Sequence, residues 1–327
     1  MARPFATLLK RPASSGKLGA LLLGVWLLAA APWAWGAGHV ALVLSEEGGA
    51  YAEVADKIRM ALTQKTQPAP RFSLLSLEAF GEKLRAPASL DADVVVAIGS
   101  AAAQAAATNP RVPVLSVLVP KAAFERVAAA RGRADPARFS AVYLDQPIAR
   151  QLQLVRAVLP GRLRLGVLAS AQSGTALAQL RTATRDGRFK LAVEKIDRQE
   201  EIVPALNRLL HDNDVLFSFP DPLIYNRYTV QDILLTTYRY RVPVIGFSPS
   251  YVKAGALAAV YSTPAQIGQQ VAEILYPLLQ DPGRGLPAPQ FPKYFSVSVN
   301  YQVARSLGIE IEDEAALHGQ LGPQVEP

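Results

Sequence analysis

Five stretches of this sequence place polar side chains where an apolar run gives way to a helical pattern. They are Ser45-Glu46-Glu47-Gly48-Gly49, Gly99-Ser100-Ala101-Ala102, Ser170-Ala171-Gln172-Ser173-Gly174, Phe217-Ser218-Phe219-Pro220-Asp221-Pro222 and Gly246-Phe247-Ser248-Pro249-Ser250. A serine at a helix N-cap, backed by free backbone N–H groups, can hold a carboxylate or a phosphate. The same serine also serves as a plain helix cap, and the sequence leaves both uses open for Ser100 and for Ser170. Asp221 lies between two prolines. It reads either as an N-cap beside a helix dipole or as a carboxylate for a ligand's ammonium or hydroxyl, with Phe217, Phe219 and Tyr225 near for aromatic contact. Catalytic constellations do not emerge. The three histidines are His39 at the start of the first strand, His211 at a helix end and His318 in the tail, none beside a plausible nucleophile. There is no His-Glu-x-x-His, no EF-hand loop, no P-loop and no Gly-x-Gly-x-x-Gly after the first strand. The carboxylate pairs Glu46-Glu47 and Asp212/Asp214 read as solvated loop charges. An enzyme is therefore not expected, and no cofactor or metal is implied.

These junctions need strands and helices to hold them. The chain alternates short apolar runs with helical patterns, the mark of βαβ units around parallel sheets. Strands are expected at 39–45, 71–77, 93–98, 112–118 and 139–144. The run Asp-Val-Val-Val-Ala-Ile at 93–98 is apolar enough to be covered on both faces. A helix at 51–64 puts Val54, Ile58, Ala61 and Leu62 on one face. The pattern restarts with a helix at 147–159 and strands at 163–169, 189–195, 214–218, 242–247 and 256–261. A long helix is expected over 223–240 and another over 264–279. A late strand (293–300) and a short helix (301–307) follow. The fold class is thus α/β, with two doubly wound parallel-sheet lobes joined by a hinge. Lobe 1 takes residues 37–142 and 262–295, and lobe 2 takes 143–261 and 296–312. Residues 313–327 form a loose tail. Ligands of such sheets lie at the carboxyl ends of the strands.

The first 36 residues read as a leader. Arg3, Lys10, Arg11 and Lys17 precede an uncharged stretch from Leu18 to Ala37, and Ala34-Trp35-Gly36 offers small residues for cleavage. The stretch is also long enough to span a bilayer as an uncleaved anchor; the small-residue site favours cleavage near Ala37 and export to the periplasm. The absence of cysteine excludes lipidation after cleavage, disulfides, thiolate metal sites and a cysteine nucleophile. The formal charge of +7 overstates the basicity, since beyond the leader 30 basic residues face 27 acidic ones. No basic block is interleaved with aromatics, so nucleic acid is not an expected partner.

The ordered segments VVVAIGSAAAQAA, VPVLSV, VLFSFPDPLIYN, RVPVIGFSPSYVKAGALAAV, QIGQQVAEIL and YFSVSVNYQVARSLGI resemble the ABC transporter substrate-binding protein family, with a type I periplasmic binding fold. The more specific pieces are Lys253-Ala254-Gly255-Ala256-Leu257-Ala258 and Asn300-x-x-x-Ala304-x-x-Leu307-Gly308. The resemblance implies a small ligand, amino-acid-like or a small organic acid, held between the lobes by hinge closure. It implies an inner-membrane ABC permease as partner and a monomer. It further implies that Ser100 and the N–H groups from Ala101 on hold a carboxylate and that Asp221 faces an amine. On the same resemblance Ser45 lines the first-lobe wall and Ser248 the hinge-side junction; Ser170 and Phe247, from the other strand exits, are added as candidate ligand contacts. Where the family carries GTPAAQA, a Tyr-Tyr-x-x-Gly and a Thr-Asp-Asn, this chain has Gly99-Ser100-Ala101-Ala102-Ala103-Gln104, Pro264-Ala265-Gln266-Ile267-Gly268 and Pro220-Asp221-Pro222. These departures leave room for a second reading: a periplasmic sensor or accessory protein on the same fold, acting through a histidine kinase or an outer-membrane uptake system.

Overall fold

The computed structural model describes residues 38–322, apart from 87–89, 109–110, 133–135 and 282. The stretch read as a leader lies outside the described residues. Two parallel sheets organise the rest. The first runs in the order β2-β1-β3-β4-β5, made of β1 (His39–Leu44), β2 (Arg71–Leu75), β3 (Val94–Ile98), β4 (Val114–Val119) and β5 (Phe139–Tyr143). The second runs β11-β10-β9-β8-β6-β7, made of β6 (Arg164–Ala169), β7 (Lys190–Lys195), β8 (Val215–Phe217), β9 (Val244–Gly246), β10 (Ala258–Tyr261) and β11 (Ser296–Val299). All pairings are parallel except β10 with β11, where Ala258 faces Val299. Both sheets reverse their strand order beside the first strand, between β1 and β3 and between β6 and β8. Such a reversal opens a crevice at the carboxyl ends of the strands.

The apolar strands divide their side chains between two helical layers. Val40, Leu42 and Leu44 of β1 pack with α1 (Gly49–Lys65) and α10 (Pro264–Gln280), against Ile58, Leu62, Val271 and Leu275. Ala41 and Val43 point the other way, toward α2 (Leu77–Arg85), α3 (Ser100–Ala106) and α4 (Lys121–Ala130), through Phe80, Ala102 and Phe124. In the second sheet one face packs on α5 (Ile148–Val158) and α6 (Gly174–Ala183). The other packs on α7 (Ile202–Asp212), α8 (Val230–Arg239) and α9 (Pro249–Ala254). The helices α1 and α10 approach closely at Gly268, where a Cβ would lie 2.7 Å from Cβ of Lys57.

Three differences from the sequence reading have physical causes. The second strand stops at Leu75 because Ser76 caps α2, its side chain accepting from the Ala79 N–H at 3.2 Å. That helix is only nine residues long and sets Leu77, Phe80 and Leu84 on the first sheet, in a segment to which the sequence reading assigned no helix. The long helix expected from Leu223 begins at Val230. Before it, Asn226 and Thr229 turn their side chains onto the local backbone, Thr229 Oγ1 donating to the Ile224 carbonyl at 2.5 Å, which competes with helix formation. The tail expected to be loose is corrected more sharply. After β11 come α11 (Tyr301–Leu307) and α12 (Glu314–Leu321), the latter capped by Asp313, which accepts from Ala316 N–H at 2.8 Å. Leu317 and Leu321 are fully buried in the core of the second sheet, and the His318 ring stacks on Phe295 at 4.4 Å.

The chain passes between the two sheets at 144–147, at 262–263 and at 291–295, and one buried network joins all three passages. Gln146 Nε2 donates to Ser262 Oγ at 2.8 Å, and Ser262 Oγ donates to the Tyr294 carbonyl at 2.6 Å. The Arg150 guanidinium donates to Gln146 Oε1 at 2.7 Å and to the Pro292 carbonyl at 3.0 Å. It also lies 4.3 Å from the centre of the Phe295 ring. Arg150 is 2% exposed, so these contacts stand in place of its hydration. Substituting Arg150→Ala is expected to lower the stability by about 3 kcal/mol, read by urea unfolding. A loss under about 1 kcal/mol would show that the network contributes no more than a surface contact.

Candidate functional site

The hinge passages form the floor of a cleft between the two sheets. Its larger compartment has a volume of about 500 Å³. Ala50 and Leu118 line it from the first lobe, Phe219, Phe247 and Ser248 from the second, and Asp145, Gln146, Gln151, Ser262 and Thr263 along or beside the hinge. A smaller compartment of about 150 Å³ adjoins it and shares Asp145, Ala176, Gln179 and Pro220. Leu118 enters the wall through an irregularity at the end of β4. The register with β5 shifts between Val117 and Val119, and Leu118 takes a left-handed backbone with φ of 52°. For a leucine that conformation costs free energy, and such strain clusters at functional sites.

The seven residues singled out from sequence do not converge. Phe247 and Ser248 line the larger compartment. Ser248 Oγ accepts from the Tyr251 N–H at 3.2 Å and caps α9, while Phe247 stacks on Tyr251 at 5.4 Å and meets Tyr225 edge-on at 5.8 Å. The hydroxyls of Tyr225 and Tyr251 are buried without a hydrogen-bond partner, and burial pushes both phenols up from their ordinary range. Ser45, Ser100, Ala101, Ser170 and Asp221 line neither compartment. Ser45 Oγ accepts from the Ala102 N–H at 2.9 Å, so the start of α3 is capped from the neighbouring strand exit. Gly99 makes this possible: its φ is 96°, and a Cβ there would lie 2.6 Å from Cε1 of Tyr51. Ser100 and Ala101 stay exposed, and Ser100 borders a separate groove of about 540 Å³ between α3 and α4.

Asp221 differs most from the expectation that it faces a ligand's amine. It is 1% exposed, and both of its oxygens accept from the protein. Oδ2 takes the Ser170 N–H at 3.1 Å and the Ser173 hydroxyl at 2.6 Å, and Oδ1 takes the Leu223 N–H at 3.1 Å. The carboxylate thus ties the exit of β6 to the exit of β8. Three charge-assisted bonds offset the cost of burying it. Ser170, 8% exposed, is held on the other side of the same clamp, its Oγ accepting from the Gln172 N–H at 3.0 Å.

The family model of the ABC transporter substrate binding protein matches residues 82–319. The chain belongs to the ABC transporter substrate-binding protein family. Solved structures share the fold. The ligand-free, open form of CD0873, a substrate-binding protein with adhesive properties from Clostridium difficile, superposes with a TM-score of 0.70. It is 17% identical, over 84% of this chain and 96% of that one. The ABC domain from Streptococcus pneumonia in complex with L-Trp gives a TM-score of 0.60 at 15% identity, over 87% of this chain and 98% of that one. A conserved domain protein from Vibrio cholerae gives 0.60 at 19% identity, over 87% and 98%. No curated protein matches the chain at the required similarity.

In this member of the ABC transporter substrate-binding family, the sequence reading passed over the residues that line the floor. Asp145 and Gln146 follow β5 as Tyr143-Leu144-Asp145-Gln146-Pro147, a polar strand exit of the kind flagged elsewhere, but at the point read as the lobe boundary. The Asp145 Oδ2 accepts from the Lys121 N–H at 2.5 Å, capping α4. Burial pushes the Asp145 carboxyl up from its ordinary value, and the N–H bonds and the Lys121 charge draw it part of the way back. Among the described residues no three potential metal ligands group together. The arrangement can hold a small molecule on an apolar bed with a few polar anchors. Substituting Asp221→Ala is expected to cost about 3 kcal/mol of stability, because buried donors of Ser170, Ser173 and Leu223 lose their acceptor. Thermal unfolding checks this, and an unchanged melting temperature would return Asp221 to the pool of ligand groups.

Proposed function

We propose that this chain is the solute-binding subunit of an ABC uptake system, working outside the inner membrane after removal of its leader. It holds a small molecule between its lobes, closes about the hinge, and presents the closed form to an inner-membrane permease. It transports by binding and release and performs no covalent chemistry. Family membership supports the role. The observation that carries the site is a cleft of about 500 Å³ lined by both lobes and by the hinge between them. A ligand in such a place touches both lobes together only when they are closed, so its binding energy favours closure. The same logic makes the pre-satisfied clamp of Asp221 useful: it keeps the second lobe's wall in one geometry while the hinge moves.

A panel of amino acids, amines, nucleobases and small organic acids tests this by thermal shift followed by solution scattering. A ligand at about 100 times its dissociation constant should add about 2.7 kcal/mol to the stability and reduce the radius of gyration. Stabilisation without compaction contradicts the hinge mechanism. A flat response to the whole panel favours action through a protein partner, for which Tyr228, Leu235 and Tyr238 offer an exposed surface beside Arg227 and Arg239.

A further inference from the structure

We infer that the cleft selects an apolar amine, with Asp145 as the counter-ion of its ammonium group; this deepens the reading of the cleft as the ligand site and rests on it. The larger compartment has no lysine, arginine or histidine among its lining residues, and Asp145 is its sole acidic side chain. Among the described residues no side-chain cation comes within ion-pair distance of that carboxylate. The neighbouring Lys121 points its ammonium over the Phe291 ring, 5.0 Å from the centre, and over Tyr143 at 5.9 Å. Asp145 takes one hydrogen bond from another residue, the Lys121 N–H at 2.5 Å on Oδ2. Partial desolvation of a carboxylate with no direct ion pair, its nearest cation Lys121 acting only at a distance, is unfavourable. An incoming ammonium reverses that penalty, and a ligand carboxylate in the same compartment adds to it.

The remaining polar groups of the compartment point the same way. Ser262 Oγ gives its proton to the Tyr294 carbonyl and accepts from Gln146, whose amide oxygen is held by Arg150. The Gln151 side chain, 5% exposed, donates to the Gln146 carbonyl and keeps its own Oε1 buried without a partner. Asp145 is therefore the one charged side chain that lines the compartment, with the Arg150 guanidinium held behind Gln146, and Gln151 adds an unmet acceptor. Around it, Leu118, Ile148, Phe219, Phe247 and Val260 supply an apolar bed for the ligand's body. The cations Lys121 and Arg126 line the smaller compartment, on the other side of Asp145.

Probes that share one apolar body and differ in the head group decide the matter: tryptamine, tryptophol and indole-3-propionate, with phenethylamine and 3-phenylpropionate as a second pair. The two amines are expected to raise the melting temperature and bind about tenfold or more tightly than the neutral and acidic partners. Asp145→Asn keeps an oxygen for the Lys121 N–H and should abolish that preference while leaving the stability near its starting value. Should the variant not fold, the comparison of tryptamine with tryptophol on the unaltered protein still tests the charge. Acids binding as well as the amines overturn the inference while leaving the cleft as the site. Tryptamine binding unchanged in Asp145→Asn overturns the role of Asp145. No shift with either amine overturns the inference, and the broader panel above then shows whether the cleft reading falls with it.

Discussion

The proposed closure of the two lobes depends on one buried knot at the hinge. Three passages of chain run between the sheets, and Gln146, Arg150 and Ser262 tie them together through hydrogen bonds of 2.6–3.0 Å. Three separate passages would leave the lobes free to twist and shear against each other. Bound side by side, they restrict relative motion to a bend about one region. A guanidinium is well suited to the task, since its Nη1 alone reaches two carbonyl-type oxygens while its planar face lies over Phe295. The knot also forms the floor of the cleft, so the same residues that guide closure position Asp145 and Gln151 beneath the ligand space.

The strand exits on the two sides of the cleft are fixed from within. Ser45 caps α3, Asp145 caps α4, Ser248 caps α9, and Asp221 binds the exits of β6 and β8 to each other. Most of these groups are consumed by structure, which leaves the walls stiff and largely apolar. Asp145 differs because its cap uses one oxygen while the residue also faces the cleft. Rigid walls around a hinged floor suit a receptor whose ligand energy is spent on closing rather than on ordering loops.

The sequence made the architecture legible where burial is total. The run Val94–Ile98 is apolar at every position because helices cover both faces of β3, and that pattern has few other meanings. It was silent where burial is slight. The helix α12 anchors through Leu317 and Leu321 amid charged and polar neighbours and shows no sustained apolar stripe, and α2 sets Leu77, Phe80 and Leu84 on the sheet within only nine residues. Residue types at strand exits marked the right regions, but not their use. Whether the N–H groups of α3 await a ligand depends on Ser45, far away in the chain and brought in by the pairing of β1 with β3. Asp221 fails for the same reason, because its partners at Ser170 and Ser173 belong to another junction. Asp145 escaped notice because the boundary between the lobes hid a junction of the same kind.

Closure of the two lobes over a ligand is the central proposed step, and a distance measured across the cleft tests it most directly. The sequence contains no cysteine, so cysteines introduced at Glu47 and Ala178, exposed positions on opposite lobes, would carry the only two spin labels. Pulsed electron resonance then gives the distribution of distances between them with and without each amine and acid. Closure requires a broad distribution in the free protein that narrows and shifts to shorter distance with the amines that stabilise it. A distribution unchanged by every stabilising ligand would contradict closure and place binding outside the cleft.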